Sequence, residues 1–384
     1  MAESAGTRTS YTDTTPHKRA IADLIDLIDP SEVPLLKYLG IGEKGQGGSS
    51  KVKSFRIVNW PHTKVEWLED ELKTLTTTTS VTLSSDTTAI SFAAANRLRK
   101  GNVILVNGSG GEYMMVTSVS SNSATVSRAW GGTQATFASG VTIEVVSNAH
   151  VEGEDSAASV TMDITAPYNY SQIFEDQVKV SGTQIELQQY GIDNEYDYQT
   201  QKVFKEQMRL MEKSLFHGQR QAGDATTSRG FGGFKTFITD NTTGLASAAL
   251  TQKQLEDSIQ AAWTDGGNPD LIICNAWGKR KISSFYTPAV RTTRDETRGG
   301  VMIDEVDTEF GTLRVLMDRW CPSTELYIVQ TEYVGVIPFP NREFYEEELA
   351  KSGDYKLGHV LGEYTFVVRC DKAHARIEAM STSS

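Results

Sequence analysis

Four carboxylates fall within six residues at Glu66, Glu69, Asp70 and Glu71, around Trp67 and Leu68. At that density such side chains can hold a divalent cation, or divide acid and base roles between two carboxyls. No histidine and no polar, glycine-containing calcium loop stands among them, so the cluster reads as a solvated or subunit-facing acidic edge. Cys370, Asp371 and His374 supply a nucleophile, an acid and a base within five residues. Triad members ordinarily converge from separate elements, whereas these three share one strand end. His150 and Glu152 form a His-x-Glu pair of deaminase type, but the Pro-Cys-x-x-Cys that would complete a zinc site is missing. Neither a Gly-x-Ser-x-Gly elbow nor a His-Glu-x-x-His is present.

Two glycine-rich stretches invite a phosphate reading. Gly40–Ser50 lacks the Gly-Lys-Ser/Thr ending that contacts nucleotide and magnesium, and Arg229–Phe234 has no strand–loop–helix frame around it. Lys279–Arg280–Lys281 puts three cations on one helical turn, a run that helical surfaces commonly carry. The three cysteines, Cys274, Cys321 and Cys370, are an odd number without a CxxC, so neither a disulfide framework nor a zinc site is expected; Cys274 and Cys370 in strand-like runs read as buried, inert thiols. No catalytic site, cofactor or metal is expected.

The 384 residues favour two or three domains, and 39% hydrophobic with 22% charged residues is enough to bury a core. No apolar run approaches the roughly 20 residues of a membrane span. The polar N-terminus is not of secretory type, so folding in a cytoplasm is expected. A formal charge of −12 makes a poor phosphate neutraliser, and a chain of this kind that encloses DNA would contain it without coating it.

The elements that must position these residues follow from pattern. A polar arm is followed by a short helix at Ala20–Leu27, which Pro30 ends. Lys51–Leu75 is extended. Residues 74–88 hold eight threonines and three serines, and beyond them short strands at Asn102–Val106, Glu112–Val119, Ala124–Ala129 and Val141–Val146 alternate with turn clusters. Residues 76–149 therefore read as an inserted small β-barrel or sandwich on an extended hairpin. Tyr168–Thr183 runs extended into a Ser-Gly-Thr turn. From Glu195 to Phe216, Tyr196, Val203, Phe204, Met208, Met211, Leu215 and Phe216 recur at three- and four-residue steps, predicting a helix roughly 33 Å long that stops at Gly218. Helices at Thr251–Trp263 and Ala276–Tyr286 then alternate with strands at Asp270–Cys274, Val301–Val306, Leu313–Met317, Leu326–Val329 and Gly335–Phe339. Arg291–Gly300 is polar and mobile-looking, and Tyr355–Val360, Tyr364–Cys370 and Ala375–Ala379 close the chain as strands.

In that order the chain resembles the major capsid proteins of tailed bacteriophages, with their Hong Kong 97-type shell fold of α+β class. The motif resemblance rests on Asn169, Gln172–Ile173–Phe174 and Val180–Ser181–Gly182–Thr183 before the long helix, and on Glu66–Trp67–Leu68–Glu69–Asp70–Glu71. It implies an N-terminal arm (1–49), an extended loop (50–75 and 150–180), a peripheral domain with a spine helix (181–225 and 339–384) and an axial domain (226–338). The insertion 76–149 departs from the family pattern. The implied function is self-assembly, as hexamers and pentamers, into an icosahedral head around double-stranded DNA, without sequence-specific binding. Portal, scaffold and decoration proteins would be partners, with no membrane; the place is the virion, assembled in the cytoplasm of a bacterial host. The rivals are a bacterial nanocompartment shell of the same fold, a mixed α/β hydrolase with a β accessory domain, and a tail or decoration protein.

The expected subunit interface comprises Trp67, Glu69, Asp70, Glu71, Arg291 and Arg294, with Trp67 anchoring the loop in a neighbour and the acids meeting basic groups there. Trp67→Ala combined with Glu69→Lys is then expected to prevent full, stable particles; electron microscopy showing normal particles would contradict it.

Overall fold

The computed structural model describes residues 32–39, 62–72, 75–80, 82–84, 87–91, 98–107, 111–120, 123–153, 155, 163–187, 192–285, 290–294, 302–350 and 352–382. The helix expected at Ala20–Leu27, the Gly40–Ser50 loop and the strand-like run through Val58 lie outside them. The chain divides into two compact units: Leu68–Pro167, and the remainder on either side of it.

In the larger unit, helix α1 (Pro34–Tyr38) begins on a proline, whose missing N–H costs nothing at a helix start. Its Leu35 and Leu36 are fully buried, so this part of the arm belongs to the main core. Strand β1 is Lys64–Glu66.

The smaller unit holds β2 (Thr76–Thr78), β3 (Ala89–Ser91), β4 (Asn102–Asn107), β5 (Glu112–Ser120), β6 (Ser123–Ser127) and β7 (Thr142–Asn148). They form one antiparallel sheet in the order β2-β7-β4-β5-β6-β3. Alternation sets its inner face: Met114, Val116, Ile104 and Ile143 are fully buried, while Tyr113 between them is exposed. The described residues of this unit form this single six-stranded sheet. A buried ion pair fixes the end of β5. Arg128 Nε and Nη2 donate to Glu112 at 2.8 and 2.6 Å, and the Ala129 and Ala135 N–H groups donate to the same carboxylate at 2.8 and 2.9 Å. Burial raises the Glu112 carboxyl, but Arg128 and the two N–H groups outweigh it and hold the carboxyl below its usual range.

Back in the larger unit, β8 (Tyr168–Tyr170) pairs antiparallel with β1, Val65 opposite Asn169. Strand β9 (Gln172–Ser181) follows. The expected Ser-Gly-Thr turn is the start of a one-turn helix, α2 (Gly182–Glu186), where the Ser181 hydroxyl accepts the Gln184 N–H at 3.3 Å. The spine helix α3 is Glu195–His217, about 35 Å long. Asn194 caps its start by accepting the Tyr196 N–H at 3.1 Å, and the Gly218 N–H donates back to Ser214 O at 2.8 Å at its end. Tyr196, Met208, Met211, Leu215 and Phe216 form the buried stripe.

Next come α4 (Phe234–Phe237), β10 (Thr242–Gly244), α5 (Gln252–Thr264, closed by a Thr251–Gln254 capping box), β11 (Leu271–Cys274) and α6 (Ala276–Phe285). Strands β12 (Val290–Arg294), β13 (Met302–Thr308), β14 (Gly311–Met317) and β15 (Leu326–Val329) follow, then β16 (Val334–Pro338), β17 (Tyr345–Glu348), β18 (Tyr355–Val368) and β19 (Ala375–Glu378). A seven-stranded mixed sheet runs β10-β19-β15-β11-β14-β13-β12. Central β11 is buried at every residue, as an apolar run covered on both faces must be. In a four-stranded sheet β18 pairs with β9 along one edge and with β16 and β17 along the other.

Three outcomes differ from the sequence reading. Residues 355–368 are one strand and not two, because Gly362 keeps its place in the ladder opposite Phe174. Residues 290–294 are paired with β13 and not loose, Arg291 opposite Glu305. The last strand, β19, joins the seven-stranded sheet beside β15 and does not return with β18. Between the two, Cys370 turns the chain at φ +55. Cys370 is exposed there, while Cys274 and Cys321 are buried.

Glu112→Ala leaves Arg128 buried without its counter-charge, and is expected to destabilise residues 68–167 by about 3 kcal/mol while the larger unit keeps its stability. Urea unfolding followed by hydrogen exchange resolves the two units; equal loss in both would contradict it.

Candidate functional site

The motif around Asn169 proves to be a polar clasp. Asn169 is fully buried. Its Nδ2 donates to Gly232 O at 3.1 Å and Phe366 O at 2.6 Å, while its Oδ1 accepts the Gly232 and Tyr170 N–H groups at 2.8 and 2.9 Å. Every position of the amide is used, which fixes its orientation. Gln172 Oε1 accepts the Phe231 N–H at 3.2 Å. Ser171 donates to Glu363 at 2.6 Å, and that nearly buried carboxylate also receives Arg229 at 2.9 Å and faces Arg342 at 3.0 Å. The Arg229–Phe234 loop is thus a structural receptor for the motif and no phosphate cradle. Its glycines permit close approach: a Cβ on Gly233 would stand 2.4 Å from Leu215 O. Phe231 and Phe234 then pack on Phe366, with ring centroids 6.4 and 4.9 Å away.

Trp67 is 6% exposed and packs inside its own subunit with Val65 and Val367, its ring 5.6 Å from that of Phe237. The expectation that it inserts into a neighbour is corrected on that ground, because its apolar surface is already spent. Glu69 and Thr165 exchange backbone hydrogen bonds at 2.9 Å, closing the hairpin, while Asp70 and Glu71 are exposed. Leu68 and Leu72 beside them are 74% and 93% exposed. Composition had singled out the acids and overlooked these leucines. Arg291 and Arg294 lie on β12, the edge strand of the seven-stranded sheet. The structure therefore places the acidic and the basic groups on separate elements.

The hydrolase reading finds no assembled chemistry. His374 is buried, and burial pushes it down to about 4, although the Arg369 carbonyl opposes this. Its Nδ1 accepts the Gln330 N–H at 3.2 Å, so the proton is on Nε2, 3.0 Å from Arg369 O. Asp371 instead accepts the Thr239 N–H and hydroxyl, at 3.0 and 2.7 Å. No group of three metal-ligating side chains occurs among the described residues. No helix among them is long and apolar enough to cross a membrane.

Comparison with known proteins settles the family. The sequence model of the SU10 major capsid protein family matches residues 5–381. The chain belongs to that family. It is the major capsid protein of a tailed phage, a shell subunit and not an enzyme. Among solved structures, the capsid asymmetric unit of cyanophage A-1(L) is similar at 12% identity, covering 97% of this chain and 100% of that one with a TM-score of 0.55; the shared fold is the Hong Kong 97-type. The capsid of a native GTA particle gives 8% identity, coverage of 97% and 98%, and a TM-score of 0.48. The SrpI encapsulin of Synechococcus elongatus gives 12%, 58% and 79%, and 0.42. No individually curated sequence matches at a significant level.

Asn169→Ala is expected to leave Gly232 and Phe366 with unpaired buried groups and to cost on the order of 3 kcal/mol, read as a lower denaturant midpoint at unchanged slope. A shift below about 1 kcal/mol would show that the clasp is dispensable.

Proposed function

We propose that subunits of this capsid protein lock together through the residues that follow Trp67. Leu68 and Leu72 form the apolar centre of the contact, and Glu69, Asp70 and Glu71 its charged rim. Arg291 and Arg294 of a neighbouring copy are the basic counterparts. The observation that supports this most is the exposure of Leu68 and Leu72 on either side of the consecutive carboxylates Asp70 and Glu71. A patch of that composition suits a repeated heterologous contact, which a closed shell requires.

The shell would enclose double-stranded DNA as a container. A net charge of −12 provides little phosphate neutralisation, so packaged DNA would be held without sequence preference. Portal, scaffold and decoration proteins would complete the head, with assembly in the cytoplasm of a bacterial host. The inserted segment 76–149 would be an added surface module.

Asp70→Lys with Glu71→Lys changes charge without touching the Trp67 packing. It is expected to slow or abolish particle formation in sedimentation, and Arg291→Glu with Arg294→Glu is expected to restore it in part. Normal assembly of the lysine variant would contradict the contact; equal failure of the combined variant would remove the two arginines from it.

A further inference from the structure

Trp263 is 55% exposed, more than any other aromatic residue described, although tryptophan is a side chain that proteins mostly cover. Its place follows from the periodicity of α5. Leu255, Ile259 and Ala262 form the stripe buried in the core on one face of the seven-stranded sheet, and Trp263 stands one residue past that stripe, in the last turn. Gly266, at φ +95, follows the helix end. The Trp263 ring lies 5.9 Å from that of Phe310, tilted by 48°. Thr308 and Gly311 are paired, so Glu309 and Phe310 are the two residues of the β13–β14 turn. Turns of that length ordinarily carry Gly, Asn or Asp, so local geometry does not call for a phenylalanine there. The two rings form an aromatic ledge, and the exposed Asp265 and Glu309 stand next to it in the chain.

Helix α6 packs into the same core and carries the opposite charge. Gly278 and Ile282, four residues apart, face inward, and a Cβ on Gly278 would stand 3.0 Å from the Cys274 Cβ. That close seating turns Arg280 to solvent, with Lys279 and Lys281 half-buried on either side of it. The Lys281 Nζ stands 5.8 Å over the Phe285 ring. Asp265, Glu309 and Arg280 form no ion pair with a described residue, so all three charges are available to a partner.

We propose that the Trp263–Phe310 ledge is a contact between copies of this chain, docking on α6 of a neighbouring copy. Arg280 of that copy covers the indole face, a cation over the ring type that holds it best. Arg280 and Lys281 also meet the Asp265 and Glu309 carboxylates at the rim. The occupant is a second copy because the chain carries both halves, an acid-rimmed aromatic ledge and a basic helix, and it belongs to a family of shell subunits. The two halves are different patches of one surface. The contact is therefore heterologous and repeats from copy to copy, as a closed ring requires. A tryptophan at the centre with charge around it has the composition of an energetic hot spot. This contact shares no residue with the one proposed above, so either can fail without the other.

Two measurements on the full chain test this. Trp263→Ala should raise the concentration at which particles form in sedimentation by on the order of 30-fold, while hydrogen exchange shows Leu271–Cys274 in β11 as well protected as in the wild type. The second is cross-linking between copies in a Cys370→Ser background, which removes the exposed native thiol. Copies with Thr264→Cys, beside the ledge, are mixed under mild oxidation with copies carrying Ala276→Cys or Ser284→Cys, one turn on either side of Arg280. A disulfide-linked dimer should form in at least one mixture and be absent from each variant alone, since the bond needs the two backbones within about 7 Å. A shift of less than about threefold for W263A would overturn the contact. Absence of a dimer from both mixtures would overturn it equally. If W263A fails to fold, the cross-link decides by itself, because Thr264, Ala276 and Ser284 are all exposed.

Discussion

The constraint on which the larger unit turns is the burial of the Arg229–Phe234 backbone. A loop placed inside a core brings N–H and C=O groups that water cannot reach, and each must find a partner. Asn169 and Gln172 supply those partners, and Glu363 ties down the arginine at the loop's start. Once the loop is seated, its phenylalanines pack on Phe216, Phe366 and Tyr327, which belong to the spine helix and to both sheets. One polar clasp thus fixes the positions of elements far apart along the chain. The motif before the spine helix is explained by this role, with no call on catalysis.

Much of this architecture was legible in the sequence because it rests on local periodicity. The 3.6-residue stripe placed α3 to within two residues at its ends, and the apolar runs at Leu271 and Leu326 became buried strands. What was not legible depends on partners distant in sequence. Nothing near Asn169 points to Gly232 or Phe366. Trp67 illustrates the limit: an aromatic amid four acids suggests an exposed contact, but its burial is decided by Val367 and Phe237, some 300 and 170 residues away. The leucines beside it, hidden in the same acidic context, are the exposed ones.

The division of labour follows. Apolar packing and the Asn169 clasp hold the larger unit together. The smaller unit carries exposed Leu68 and Leu72 beside Asp70 and Glu71, and its own buried Glu112–Arg128 pair.

The most direct measurement is electron microscopy of the purified, overexpressed wild-type chain. The account predicts icosahedral shells, capsomers or tubes with a regular repeat. A monodisperse monomer that stays monomeric at high concentration, in low and high salt alike, would contradict it.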